Sequence, residues 1–540
     1  TMISSKTDAT NAIYGVDGSP IVKDIYYDDT PDNSIDDPVW KTIVLTGLGA
    51  GGYGYFALDI TDINSPKHLF ATENDPFNKV VKHLDSDEVY REYNYKAGII
   101  DPKFDYRKLG ETWSTPRIIR IKVSGKDKWV AVFGGGYNGA VNPDYGSAVF
   151  VMDLEDEGRL LKVIDIEDKS KQSYSWGGRL FKRVGGILTN NNTVFKVSVW
   201  NPNVKYDISK GESLTAEFTP PVGHTITYST SGNIVTVTKV TFDASWPCTL
   251  GGSCTGTVKF RRFSNDIVNS LPADLSVITA DGTDKANYDG AIVYATDLEG
   301  KLTKVNLTEN FSLICPSGKT CNKDTDKVIQ NISATTLFIA ESTSENGRYI
   351  YTRPEVTINN DNKLWLYFGT GNTQKLHEQS NKIKNRVYGI KDKDFPNYVN
   401  ISTPGDIRRC KTAPTCPGST DLGWYANLPR AQKLTAEPTV DKNRVYFPIY
   451  EPTTSTNACN TGKAILTAYD TKCGNSVLNV HLGTGVLSKV VVQGDNLYIG
   501  IAGEAKKNIA GFTSTGNLIT GKSKAKGSGG KVQLEGWKEN

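Results

Sequence analysis

The stretches WSTPRIIRI (113–121), KWVAVFGGGYN (128–138) and SAVFVMDLE (147–155) decide how the rest of the chain is read. A proline-containing turn leads into one strand, an apolar second strand ends in glycines, and a third strand runs to an Asp-containing turn. The same order occurs upstream as GSPIVKDIYY (18–27) and WKTIVLTGLGAGGYGYFALDITD (40–62). Downstream it returns as YDGAIVYATDLEGKLTKVNL (288–307), then as YTRPEVTI (351–358), LWLYFGTGN (364–372) and VYGIKD (387–392). TAEPTVDKNRVYFPIY (435–450), ILTAYDTKCGN (465–475) and KVVVQGDNLYIGIAG (489–503) complete the series. Short runs of Val, Ile, Tyr, Phe and Thr punctuated by Gly, Asn and Asp are strands and turns. Imperfect repeats of a few strands, each burying its faces against its neighbours, are the pattern of propeller blades. The expected fold class is all-β, a modified β-propeller.

Within the repeats, the aspartates of FALDITD and VFVMDLE follow an alternating strand and can bond to the backbone just after them, which makes them turn formers rather than catalysts. The glycine clusters Gly49, Gly51, Gly52 and Gly54, and Gly134 to Gly136, do not make a dinucleotide site, because more strand follows them where the phosphate fingerprint needs a helix. Tyr53, Tyr55 and Tyr137 beside these glycines are candidate ligand contacts, with packing between blades as the competing role.

The repeat disappears from Leu188 to Phe263. There, KVSVWNPNVKYDISKGESLTAEFTPPVGHTITYSTSGNIVTVTKVTF (196–242) reads as Thr/Val strands around a Ser-Gly-Asn turn. The expected organisation is propeller over 1–187, a β-rich insertion over 188–263 and propeller over 264–540. Insertions on a rigid scaffold tend to carry recognition, so this one is a candidate partner surface, with an excursion that binds no partner as the competing reading.

The chain has 540 residues, 62 Lys plus Arg against 59 Asp plus Glu, and 38% hydrophobic content. Balanced charge without long single-sign runs argues against a nucleic-acid partner. No stretch is apolar enough to span a membrane, and TMISSKTDATNAIYG lacks the charged start and apolar middle of a signal peptide. Starting at Thr1, the chain reads as part of a longer precursor whose N-terminal part carries the export signal and a further domain. Eight cysteines fall into sequential neighbours, Cys248 with Cys254, Cys315 with Cys321, Cys410 with Cys416 and Cys459 with Cys473. Local disulfides in an oxidising compartment are expected from these pairs, with free buried thiols as the alternative, and zinc-knuckle spacing is missing.

The motifs YGVDGSPIVKD, GGYGYFALDIT, WSTPRI with WVAVFGGGYN, IVYATDLEGKLTKVNL, and YFGTGN with VYGI resemble, in that order, the C-terminal region of the PilC/PilY family of type IV pilus-associated adhesins and biogenesis factors. The terminal GWKEN is similar to that family's short tryptophan-containing end. The resemblance implies a propeller of about seven blades. It also implies a secreted protein at the outer-membrane cell surface and pilus tip that controls pilus extension and retraction, adhesion and twitching motility. Pilins or minor pilins and a host-cell or matrix receptor are the partners it implies.

The family often carries a calcium loop before a YAGDL-like strand, which here is Tyr294-Ala295-Thr296-Asp297-Leu298. The preceding ITADGTDKANYDGAIV (278–293) places Asp281, Asp284, Asn287 and Asp289 on one short turn, with the Lys285 backbone carbonyl available to complete a shell. These are hard oxygen donors of the kind calcium takes. The spacing departs from the family pattern, and the competing role is a solvated acidic turn. Asp28, Asp29, Asp36 and Asp37, and Asn359 to Asn362, are weaker candidates, the latter reading as a hairpin turn. With five His residues and no linear Ser/His/Asp or Cys/His grouping, nothing nominates an active site. An enzyme is therefore not expected, and a periplasmic quinoprotein-like propeller enzyme is the alternative.

Overall fold

The computed structural model describes residues 15–27, 39–96, 100–123, 126–137, 145–166, 173–176, 194–196, 203–208, 213–219, 224–242, 245–247, 256–263, 270–279, 290–308, 313–314, 328–329, 332–340, 342, 346–358, 363–401, 404–453 and 461–525. The chain is all-β, and helix among these residues is limited to 3-10 turns such as Pro102–Phe104 and Ile407–Arg409. It divides into two compact units, one of Thr1–Asn138, Asp144–Ile166 and Asn269–Asn540, the other of Gly139–Pro143 and Glu167–Val268.

In the larger unit the repeats become successive antiparallel meanders. The first sheet runs from Ile21–Tyr27 through Val39–Gly47, Gly54–Asp59, Lys67–Asp75 and Val80–Leu84 to Tyr90–Asn94. The second joins Arg117–Val123, Lys126–Gly134, Ala148–Asp153 and Leu160–Asp165, and the third Ser276–Thr279, Ala291–Thr296, Lys301–Asn306 and Ser333–Ile339. The fourth holds Glu355–Ile358, Leu364–Gly369, Arg386–Asp392 and Gly423–Asn427, with Cys410–Thr412 added in parallel. A nine-stranded sheet from Lys433–Leu434 to Leu518–Lys522 ends the unit.

The strand Ala148–Asp153 shows how the sheets are joined. Ala148, Phe150 and Met152 share a core with Tyr55, Ala57 and Phe70 of the first sheet, whereas Val149 and Val151 share another with Ala291, Val293 and Val305 of the third. Period-two alternation thus sends successive residues into two different cores. The third sheet repeats this, with Ile292 and Tyr294 packed in one core with Leu366, Phe368 and Tyr388 of the fourth. Trp365, Tyr367 and Trp424 then pack with Val445, Phe447 and Ile449 of the last sheet. Each such side chain contributes roughly 1.5–3 kcal/mol on full burial, so these shared cores, repeated sheet after sheet, hold the propeller together.

The repeated aspartates close the turns as the sequence predicts. Asp59 accepts from Thr61 N, Asp153 from Glu155 N, Asp297 from Lys301 N, Asp392 from Asp394 N, and Asp470 from Lys472 N and Cys473 N. Three of them also use their other oxygen to receive a lysine: Lys128 Nζ is 2.6 Å from Asp153, Lys301 Nζ 3.5 Å from Asp297 and Lys304 Nζ 2.7 Å from Asp392. Tyr294 donates to the same Asp392 oxygen at 2.6 Å.

The smaller unit contains the Ser-Gly-Asn turn. His224–Ser231 and Ile234–Phe242 form a hairpin closed by Gly232 and Asn233, with Gly232 at φ +60°, where glycine carries no steric penalty. Val204–Asp207 pairs with the other edge of Ile234–Phe242, so that Val204, Val235, Val237 and Val240 are buried.

Two nearest-neighbour disulfides are corrected. Cys416 bonds to Cys473, 57 residues away, which rules out both the Cys410–Cys416 and the Cys459–Cys473 pairs. The parallel strand Cys410–Thr412 turns Cys410 inward to the core shared by the third and fourth sheets. Its thiol is free and is pushed up to about 12 by burial. Cys416 follows a proline-rich turn that meets the turn after Lys463–Asp470. Cys248, Cys254, Cys315, Cys321 and Cys459 lie outside the described residues.

Candidate functional site

Pro116, Pro272, Pro354 and Pro438 stand at or just before the first strands of their repeats, where a missing N–H costs no ladder bond. Charged residues flank each of them: Arg117, Asp274, Arg353 with Glu355, and Glu437. The repeat brings these side chains together. Arg117 lies 3.7 Å from Asp274, Arg353 3.0 Å from Glu437, and Lys489 3.3 Å from Glu355 and 3.0 Å from Glu437. Asp274 also accepts from Thr115 N at 2.7 Å. Arg117 and Asp274 thus pair across the second and third sheets, Arg353, Glu437, Lys489 and Glu355 link the fourth and last, and the charges of Glu437 and Arg353 reach Asp274 to make one charged network. Its members are half-buried or buried, so the pairs are screened less than surface pairs.

The carboxyls differ in what surrounds them. Burial raises Asp274 and Glu355 above the usual carboxylate range, against the pull of Arg117 on the first and Lys489 on the second. Burial also penalises the Glu437 carboxylate, but Arg353 and Lys489 outweigh it and hold that group below its ordinary value. Sequence reasoning passed over this network. The signal was a charged residue within two positions of each repeated proline, visible only when the repeats are aligned on that proline.

At the same strand ends lies a cluster of aromatic side chains. Glu111 and Tyr137 form a two-way backbone bridge, Glu111 N donating to Tyr137 O at 2.7 Å and Tyr137 N to Glu111 O at 2.8 Å. Gly136, at φ +87°, permits the bridge, since a Cβ there would come within 1.9 Å of Glu111 O. Trp113 stacks on Tyr137 with ring centroids 4.2 Å apart, and Tyr351 follows at 6.5 Å. Tyr53 is near enough to Glu111 for that charge to help raise its phenol, after burial. Of the three tyrosines singled out from the sequence, Tyr53 and Tyr137 are half-buried here, whereas Tyr55 is a core residue bonded to Ser114 O at 2.7 Å.

With this arrangement established, kinship is informative. Residues 6–175 match the profile of the PilY1 β-propeller domain. Over those residues the chain is similar to the PilY1 β-propeller domain. A type IV pilus biogenesis factor PilY1 homolog of Xylella fastidiosa is 22% identical over 486 residues, covering 86% of this chain and 23% of the relative. Type IV pilus biogenesis factor PilY1 of Pseudomonas aeruginosa is 30% identical over 156 residues, 29% of this chain and 10% of the relative. The chain therefore spans about a quarter or less of the length of these PilY1 relatives. The crystal structure of the Pseudomonas aeruginosa PilY1 C-terminal domain aligns with a TM-score of 0.47 and 14% identity, covering 91% of this chain and 82% of that one.

The acidic residues expected to hold calcium, Asp281, Asp284, Asn287 and Asp289 with the Lys285 carbonyl, lie outside the described residues. Their connection is bounded by the antiparallel pair Thr279↔Ala291, which joins neighbouring strands of the third sheet. Asp28, Asp29, Asp36 and Asp37, and Asn359 to Asn362, also fall outside. The strands around 359–362 pair with Ile358 opposite Leu364, as a hairpin requires. Among the described residues no three His, Cys, Asp or Glu side chains gather to hold a metal, and no helix is long and apolar enough to cross a membrane.

Proposed function

We propose that this chain is the propeller part of a type IV pilus biogenesis factor and acts at the cell surface on pilus extension and retraction, with pilins or minor pilins as partners. The observation that carries the reading is the kinship of its propeller repeats to PilY1 biogenesis factors, over residues 6–175 for the domain profile and 86% of the chain for the Xylella relative. The role is one of binding and assembly, not catalysis, and it extends to adhesion and twitching through a host-cell or matrix receptor. The hairpin unit around 224–242 supports the recognition part of this reading, because it presents a strand edge and an exposed polar face built on a small valine core. Deleting residues 1–540 from the encoded protein in its own bacterium should abolish surface pili and twitching; wild-type piliation and motility would sink the proposal. Visible absorption from an organic cofactor in the purified chain would favour the quinoprotein-like enzyme instead.

The same reading includes calcium control. Three carboxylates and an amide within nine residues form an all-oxygen donor set suited to calcium, and its connection spans adjacent strands whose register is set. Asp281, Asp284, Asn287 and Asp289 would hold the ion with the Lys285 carbonyl, and without it their like charges repel. Calorimetry on the metal-stripped chain should show saturable calcium binding that Asp284→Ala with Asp289→Ala removes. Absence of binding by the unmodified chain would end the calcium reading.

A further inference from the structure

We propose that the cup formed by Glu111, Trp113, Tyr137 and Tyr351 binds an organic cation, the ammonium or guanidinium group of a lysine or arginine side chain on a partner protein. This inference is independent of the pilus reading, and it starts from a contrast between carboxylates. Asp274, Glu355 and Glu437, which lie at or within two residues of the start of the lead-in strands of three later sheets, each face a lysine or arginine within 4 Å. Glu111 is half-buried, and among the described residues no lysine or arginine pairs with it.

What surrounds Glu111 is aromatic. The Trp113 side chain lies close enough to favour its charged form, yet Trp113 Nε1 is buried and completes no hydrogen bond of good geometry. Tyr137 stacks on Trp113 with centroids 4.2 Å apart at 17° and lies 6.5 Å from Tyr351 at 38°. All three residues are half-buried and keep part of their surface open to solvent.

Energetics select the ligand class. A carboxylate taken partly out of water without a counter-charge is unfavourable, and an incoming cation removes that penalty. An open aromatic face within about 6 Å of the cation adds cation–π attraction. A neutral sugar could stack on the same rings but would leave the charge uncompensated. The site is also preorganised, because the Glu111–Tyr137 bridge is locked by backbone bonds at 2.7 and 2.8 Å and by the left-handed Gly136. Little ordering is therefore required on binding.

The test uses the whole chain and ligand-observed saturation-transfer NMR with calorimetry. The probes are Nα-acetyl-arginine amide and Nα-acetyl-lysine amide, with methylammonium, N-acetyl-glycine amide and methyl glucoside for comparison. Saturable binding of the arginine or lysine probe is expected, weakened at least tenfold in Glu111→Gln and several-fold in Tyr351→Leu, with unchanged circular dichroism and melting. No saturable binding, or equal binding by the Glu111→Gln and Tyr351→Leu chains, would overturn the proposal. So would methyl glucoside binding without the cations. Methylammonium bound as tightly as the lysine probe would assign the cup to small amines and overturn a protein side chain as the source.

Discussion

Asp392→Ala should lower the denaturant midpoint of the propeller unit by an amount equivalent to about 3–5 kcal/mol. Lys304 and Asp392 are each 1% exposed and 2.7 Å apart. Tyr294, itself fully buried, donates to the same carboxylate at 2.6 Å. Removing the carboxylate leaves a buried ammonium with the Asn397 carbonyl at 3.1 Å and the Tyr398 ring centroid at 5.4 Å but no counter-charge, and a buried phenol without its acceptor. It also frees the Asp394 N–H that Asp392 receives in its turn. The pair itself is not the source of most of the cost, since two buried ions give back in mutual attraction roughly what they lose in hydration. The cost is that of stranding one partner. Asp392→Leu combined with Lys304→Met should therefore recover a large part of the stability that Asp392→Leu loses. Urea unfolding followed by fluorescence makes the comparison, and a single substitution costing less than about 1 kcal/mol would contradict a buried pair.

Lys489→Ala should cost somewhat less, about 2–4 kcal/mol at neutral pH, reduced from the fully buried case because Lys489 is about a third exposed. Lys489 bridges Glu355 and Glu437, and its loss sets two desolvated carboxylates side by side with only Arg353 to answer Glu437. The pH dependence has a definite sign. In the native chain Glu437 is held below its ordinary value, so its contribution is present above the unfolded carboxyl range and is lost as pH falls through the lowered value. Glu355 is raised by burial, so its ionisation opposes folding as pH rises. Without Lys489 both carboxyls rise, and protonation relieves the repulsion. The stability gap between the native chain and Lys489→Ala should then narrow from neutral pH toward about pH 4. A gap that stays constant across that interval would show that Lys489 contributes by packing and not by charge.

Much of this was legible in the sequence because it depends on neighbours only a few residues apart. The turn role of Asp59, Asp153, Asp297, Asp392 and Asp470 is an i to i+2, i+3 or i+4 backbone contact, which a short motif specifies completely. The Gly232-Asn233 hairpin is legible for the same reason. The second bond of Asp153 or Asp392 is of another kind, since it joins residues 25 or 88 positions apart and depends on which strand lies alongside. Cysteine pairing failed likewise. Cys410 and Cys416 are close in the chain, but the parallel strand Cys410–Thr412 buries one thiol while the turn carries the other to Cys473.

From the sequence alone, the repeat of strands, glycine ends and Asp turns determines an all-β propeller, because strand period and turn chemistry are local properties of the chain. Only the tertiary structure decided which of two cores each strand residue enters, as with Phe150 against the first sheet and Val151 against the third. It also decided which charges beside the repeated prolines neutralise one another, and that Glu111 stands among aromatic rings with no lysine or arginine pairing it among the described residues. The physical reason is common to all three: burial and electrostatic compensation depend on distances across sheets, and those distances exist only once the sheets have packed.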